Sequence, residues 1–222
     1  MPALGYSKTF TYLMVAALAW SAWALVRSPP PLFHALFLFA LCLVATDLIS
    51  GILHVILDNP RSLEIPQIRG LAEGFQRHHE TPSRIYEMPL YEHLYVMHMP
   101  LTFLFGAVLA VRDGRTYVVF VSMVIALHLM QMAHLWAHLP PDRVPRTVRV
   151  LQRTGVLLSK PQHDQHHVDP YDRDFCIMTG WCNRPLNAVV NVVGRTSHVW
   201  IGIFLLAAVT PVAIAVGMRF VR

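Results

Sequence analysis

The chain has 222 residues, 55% of them apolar and only 14% charged, with a mean hydropathy of +0.44. That composition excludes an ordinary soluble domain, and three cysteines supply no disulfide framework. The net charge of +5 raises a nucleic-acid partner, which the placement of the charges then argues against.

About 20 consecutive apolar residues span a bilayer. Residues 9–26 (TFTYLMVAALAWSAWALV) form the first such window. Only Lys8 precedes it as a basic residue and no small-residue cleavage site is obvious, so it reads as a retained helix rather than a signal peptide. Residues 31–57 form the second window, 94–112 the third, 116–138 the fourth and 199–218 the last. PPPLF, NP and LPPD bound helices or helix ends, and no internal repeat is present. The expected fold is an all-α integral membrane protein. It has four to five transmembrane helices and a histidine-rich metal-binding cap on the cytoplasmic face. The expected organisation is an N-terminal transmembrane helix over 1–30, a central domain over 31–198 and a C-terminal hydrophobic helix over 199–222.

Four spans place the connections 58–93 and 139–198 on the side of the N-terminus. That side carries 13 of the 18 Lys and Arg. Arg27, Arg112, Arg115, Arg219 and Arg222 fall on the other. The positive-inside rule makes the richer side cytoplasmic. The basic excess is then topology plus attraction to anionic headgroups, and no nucleic-acid partner is expected. Residues 146–158 (RTVRVLQRTGVLL) fit an interfacial helix, with Arg146, Arg149 and Arg153 on one face.

Ionisable residues in or against a membrane are costly, and thirteen histidines are many for such a chain. His54 and Asp58 lie at i, i+4 at the end of the second span, with Asp47 seven residues earlier on the same face. His134 and His138 repeat that spacing at the end of the fourth. One helical turn brings such a pair near enough to share a metal. The connections that follow carry His78 and His79, then His163, His166 and His167 in PQHDQHH. Each cluster also has a structural reading: a helix-end histidine satisfies the C-terminal dipole, and a histidine pair in a basic loop is solvated. Four clusters arriving at one face favour metal binding. Eight histidines and Asp58 exceed the three or four donors of one zinc and suit two octahedral metals. Imidazole and carboxylate donors suit iron. Two irons facing a membrane can use O2 to take hydrogen from a lipid chain, chemistry that no side chain supplies. His34, His98, His128 and His198 read as structural.

The run SGILH…D, RHH..P, HLWAH, LP..V…LQ..G and QHDQHH..PY…FCI.TGW.N.PL resembles the lipid desaturase family over residues 47–190. The resemblance implies a di-iron centre held by His54, His78, His79, His134, His138, His163, His166 and His167, with Asp58 as an acidic ligand candidate. It also implies a lipid desaturase domain over 31–198, a phospholipid substrate, O2 as co-substrate and an electron donor of cytochrome b5 or ferredoxin type. The expected reaction converts a plasmanyl ether lipid to a vinyl-ether, plasmalogen-type product. The alternatives are acyl-chain desaturation of phosphatidylglycerol, as in the plastid branch, and di-iron hydroxylation. Outside that class stand a membrane haem protein with bis-histidine ligation and a zinc hydrolase; no HExxH supports the latter.

One departure concerns SRIYEMPLYEH (83–93). The plasmalogen branch carries a further histidine where Met88 stands here, and the plastid branch also lacks it. Glu92 matches a family glutamate, and the adjacent His93 is a candidate to take over the ligand role. Asp47, Glu92, Asp164 and Asp169 are candidates to orient ligands or contact lipid. Arg146, Arg149 and Arg153 are candidates to hold the lipid phosphate or dock an acidic donor.

Overall fold

The computed structural model describes residues 8–220. Among the described residues there are only helices and turns, with no strand. In chain order they are α1 (Lys8–Arg27), α2 (Leu32–Leu57), a 3-10 turn (Pro60–Glu64), α3 (Arg69–Glu80), α4 (Arg84–Glu87) and α5 (Leu90–Tyr95). There follow α6 (His98–Val111), α7 (Gly114–His138), α8 (Arg146–Arg153), α9 (Lys160–His166), α10 (Asn183–Val193) and α11 (Ser197–Gly217). Among the described residues, five helical runs are long and apolar enough to cross a membrane: α1, α2, Leu90–Val111, α7 and α11. They coincide with the five apolar windows to within a few residues. The third run is α5 followed by α6, with a short turn around Met97 between them. Pro100 falls in the first turn of α6, where its missing N–H costs nothing.

The chain divides into two compact units. One comprises residues 1–45, 90–128 and 208–222. In it α1 packs on α6, and Leu38, Cys42, Leu101, Val108, Val119 and Phe120 are fully buried. Most of its other apolar side chains face outward, among them Tyr12, Phe33 and Phe103, as lipid-facing positions do. Its histidines make structural contacts. His98 meets the Thr11 hydroxyl at 2.9 Å and His128 at 3.4 Å, and Arg115 donates to His34 at 3.2 Å. Cys42 is one of three free cysteines.

The other unit comprises residues 46–89 and 129–207. Its core joins Ile52, Val55 and Ile56 of α2 to Ala72 of α3, to Phe175 and Cys176, to Leu186 and Val190 of α10, and to Trp200. Asp47 pins the loop that crosses α2. Its Oδ1 accepts the N–H groups of Thr179 (2.8 Å) and Gly180 (3.1 Å), and its Oδ2 accepts that of Cys182 (3.1 Å). A carboxylate in a membrane helix is tolerable only when its oxygens are satisfied in this way. Gly51 lets the same loop lie on the helix: a Cβ there would meet Leu186 Cδ2 at 2.5 Å and Cys176 Sγ at 2.6 Å. Gly180 takes φ +76, a left-handed turn that glycine adopts without strain. Trp181 stays half exposed and donates from Nε1 to Gly155 O at 2.7 Å. These contacts account for FCIMTGW.N as a strap across α2, closed by Asn183 Oδ1 accepting the Cys176 N–H at 2.8 Å.

Candidate metal centre

Four stretches of the second unit converge on one polar pocket. The end of α2 brings His54 and Asp58, α3 brings His78 and His79, α7 brings His134 and His138, and α9 with its C-cap brings His163, His166 and His167. A capping box at Ser159 and Gln162, with proline at the second helical position, starts α9 three residues before His163.

The side chains sort into two donor groups. In the first, one nitrogen each from His78, His134, His138, His163 and His167 lies within 4.8 Å of all the others. In the second, His54, Asp58 and His166 meet the same criterion. The two groups are adjacent, with the His54 and His134 rings 6.1 Å apart. Helical spacing explains the sorting. Pairs at i, i+4 share a group: His54 with Asp58, His134 with His138, and His163 with His167. Neighbours in sequence diverge by about 100° on a helix. Thus His78 reaches His138 while His79 turns to Asp58, and His166 leaves the group of His163 and His167.

The first group cannot be satisfied by its own hydrogens. His138 Nε2 lies 3.1 Å from His78 Nε2, 3.2 Å from His134 Nε2 and 2.8 Å from His163 Nε2, and His163 Nε2 lies 3.2 Å from His167 Nε2. A neutral imidazole nitrogen offers one hydrogen or one lone pair, never enough for three such contacts. Protonation is no remedy. Burial, then the neighbouring histidines, pushes the His163 and His167 imidazoles well below their ordinary value, and His78 down to about 2. His78, His163 and His167 stay neutral, each with a lone pair to offer, as metal ligands require. Five nitrogens exceed a tetrahedral zinc site.

The second group is built differently. His54 Nδ1 donates to Ser50 O and His166 Nδ1 donates to Arg173 O, both at 2.8 Å. Each Nε2 is therefore left as the lone-pair nitrogen. Asp58 Oδ1 accepts from His79 Nε2 at 3.1 Å. His166 Nε2 stands 3.2 Å from Asp58 Oδ2 in a geometry that makes no hydrogen bond, and both atoms are buried without a hydrogen-bond partner. Burial alone would raise the Asp58 carboxyl, but the His79 imidazole that donates to it holds it well below the usual carboxylate range. A buried carboxylate oxygen and a buried imidazole lone pair facing the same space fit a cation between them. Phe75 and Phe175 close the group with their rings against His54 and His166.

Other residues expected at the site stand elsewhere. Asp47 holds the strap, as described. Asp164 pairs with Lys160 at 2.8 Å, and Asp169 is exposed. Glu92 accepts from the Tyr91 hydroxyl, and His93 is buried on α5; both belong to the first unit. Neither donor group contains His93, and Met88 is exposed just past α4. Two neighbours were not singled out in the sequence. Tyr171 packs against His79 with ring centroids 4.3 Å apart. Arg195 lies over Phe175, with Nε and Nη2 buried and unpartnered. Tyr171 falls inside the HH..PY run of residues 166–171, whereas nothing marks Arg195 among the other arginines. Cys176 and Cys182 contribute no donor. Burial pushes both thiols up, Cys182 to about 11, so they stay protonated.

Fold and site together define a helical membrane protein whose second unit gathers two adjacent groups of side chains that could hold metal ions. The model of the lipid desaturase domain matches residues 43–197, so the chain belongs to the lipid desaturase family. It is 30% identical over 145 residues to fatty acid desaturase 4, chloroplastic, of Arabidopsis thaliana, covering 65% of this chain and 45% of that protein. It is 30% identical over 154 residues to the plasmanylethanolamine desaturase of Myxococcus xanthus (66% and 53%). It is 29% identical over 157 residues to plasmanylethanolamine desaturase 1 of Mus musculus (66% and 58%). The matches span about half the length of these relatives. No solved structure matches the chain significantly.

Proposed function

We propose that the chain is a membrane-embedded, oxygen-dependent desaturase that places a double bond in a phospholipid chain, with one iron at each donor group. The observation that carries this reading is the pair of adjacent groups, five imidazoles in one and two imidazoles with a carboxylate in the other. His78, His134, His138, His163 and His167 would hold one iron, and His54, Asp58 and His166 the second. When bound, the iron pair supplies the oxidising power to use O2 against an unactivated C–H bond.

The side chains have the supporting work. His54 and His166 are locked by backbone carbonyls, and His79 orients Asp58. Phe75 and Phe175 keep water from the carboxylate group. In the overall reaction two hydrogens leave adjacent chain carbons. Together with two electrons and two protons they reduce one O2 to two waters. A one-electron donor of ferredoxin or cytochrome b5 type supplies the electrons. The basic connections support a cytoplasmic placement of the site.

The relatives named plasmanylethanolamine desaturase support the alkyl chain of a plasmanyl ether lipid as substrate, giving a vinyl ether. A second reading, the acyl chain of phosphatidylglycerol, is supported by Met88 in the place of the plasmalogen branch's histidine. Lipidomics of a host expressing the chain separates them, with His166→Ala as the control and iron and reductant supplied. New products two hydrogens lighter should appear in ether or acyl phospholipids with the wild type alone. Identical profiles for wild type and variant in both lipid classes would end the desaturase reading in that host, and a gain of oxygen would make the chain a hydroxylase.

A further inference from the structure

Beside the donor groups, the second unit holds a cleft of about 480 Å³ that no ligand set uses. Its walls come from the end of α7, the connection after it, α8 and the start of α9. Three cations line it: Arg149, Arg153 and Lys160. Among the described residues, none of its lining side chains is acidic. Lys160 has a partner in Asp164, and Arg149 reaches Pro141 O at 3.4 Å, leaving most of both guanidinium groups undirected toward protein acceptors. Trp136, Leu139 and Val144 supply an apolar wall, and Gln152 and Gln162 add amide groups. Around it, Val150, Leu151, Val156 and Trp181 are exposed apolar side chains, the kind an amphipathic segment turns to the acyl boundary.

The cleft shares α7 and α9 with the donor groups. Trp136 lies two residues from both His134 and His138, on the opposite face of α7, and Lys160 begins the helix that carries His163 and His166. Arg146, on the same short helix, does not line it. A volume of this size suits a small polar group with the first carbons of its chains. Planar guanidinium forks match phosphate oxygens, and an ammonium beside them adds a point charge.

We propose that this cleft seats the phosphodiester of the phospholipid substrate, held by Arg149, Arg153 and Lys160, with the chains leaving along the Trp136 and Val144 wall. The proposal rests on the phospholipid reading above, but its test needs neither iron nor turnover. Binding of dihexanoylphosphatidylglycerol to the iron-free full chain in neutral detergent is measured by titration calorimetry. Arg149→Gln/Arg153→Gln should raise the dissociation constant at least tenfold, and Lys160→Gln, which removes only an exposed pair from the fold, about threefold or more. Arg146→Gln removes one charge, as Lys160→Gln does, but from outside the cleft, and should leave affinity within twofold. Equal losses in all these variants would mean diffuse attraction to a basic face and would overturn the proposal. So would inorganic phosphate binding as tightly as the lipid, which would make the cleft a free-anion site. Unchanged lipid affinity with slower reduction by an acidic electron donor would assign the arginines to donor docking instead. If lipid binding follows the expected pattern while lipidomics finds no product, the cleft stands and the desaturase reading falls.

Discussion

The two donor groups sit side by side but are stabilised in opposite ways. The carboxylate group is organised by protein: Ser50 O and Arg173 O fix its imidazoles, and His79 fixes Asp58. In the five-histidine group that frame is missing at His163 and His167. The Nδ1 atoms of His163 and His167 are buried without partners, and their Nε2 atoms crowd one another. Converging lone pairs without hydrogens to share carry a cost that only a cation offsets. On the iron reading proposed above, one group is therefore preformed and the other is a set of donors that a metal would complete. The strap extends the frame: Ser50 Oγ donates to Asp47 O and accepts the Ile177 N–H, so the residues that pin FCIMTGW also hold His54.

Removing one ligand from each group is the severest test of this contrast. His166→Ala should lower product formation at least about 100-fold and cut bound iron from two per chain to one. His138→Ala takes away the nitrogen that faces three others and should cost the other iron, leaving the carboxylate group loaded. Iron content measured beside activity reads both outcomes. If either variant loses both irons, the groups are not independent pockets.

Asp58→Asn keeps shape and removes charge. It should weaken iron at the carboxylate group by about 10- to 100-fold, with the five-histidine iron retained, as a chelator titration would show.

Gly51→Ala sharpens the role of the strap. The added methyl meets Leu186 and Cys176 well inside contact distance, and overpacking of this kind costs about 1–3 kcal/mol. A lower Tm together with weaker iron at the His54 group is expected. A lower Tm with unchanged metal affinity would uncouple strap from site.

The smallest effect is on pH dependence. His78, His163 and His167 all have folded pKa values lowered by burial, so the unfolded chain takes up protons that the folded one refuses. Their contribution to stability is full above about pH 6.5 and is lost progressively as pH falls toward the folded values. The Tm of the iron-free protein should therefore drop between pH 7 and pH 5. A flat profile would mean that these imidazoles are wet.

Much of the site was legible because its residues announce themselves by type and spacing. His54 with Asp58, His134 with His138, and His163 with His167 are i, i+4 pairs that read as shared donors before any fold is known. The windows at 9–26, 31–57 and 116–138 gave the helices for a similar reason: apolar length alone decides them. What spacing does not show is the split between the groups, because His78 and His79 part company only when α3 is set against its neighbours. Asp47 looked like a ligand helper, being on the His54 face. Its true partners are three backbone N–H groups more than 130 residues away, and backbone donors leave no mark in a sequence. Asp164 and Asp169 stand out by proximity in sequence, but the His54 and His166 imidazoles are oriented by backbone carbonyls, which are equally unmarked. Arg195 reaches Phe175 through a turn whose course no local pattern records.

The most direct measurement is the metal itself: elemental analysis and Mössbauer spectroscopy of the purified full chain loaded with iron-57. Two irons per chain in two distinguishable sites, with the carboxylate-site signal lost in His166→Ala and the other in His138→Ala, is the predicted result. A single iron, zinc in preference to iron, or a Soret band from haem would contradict it.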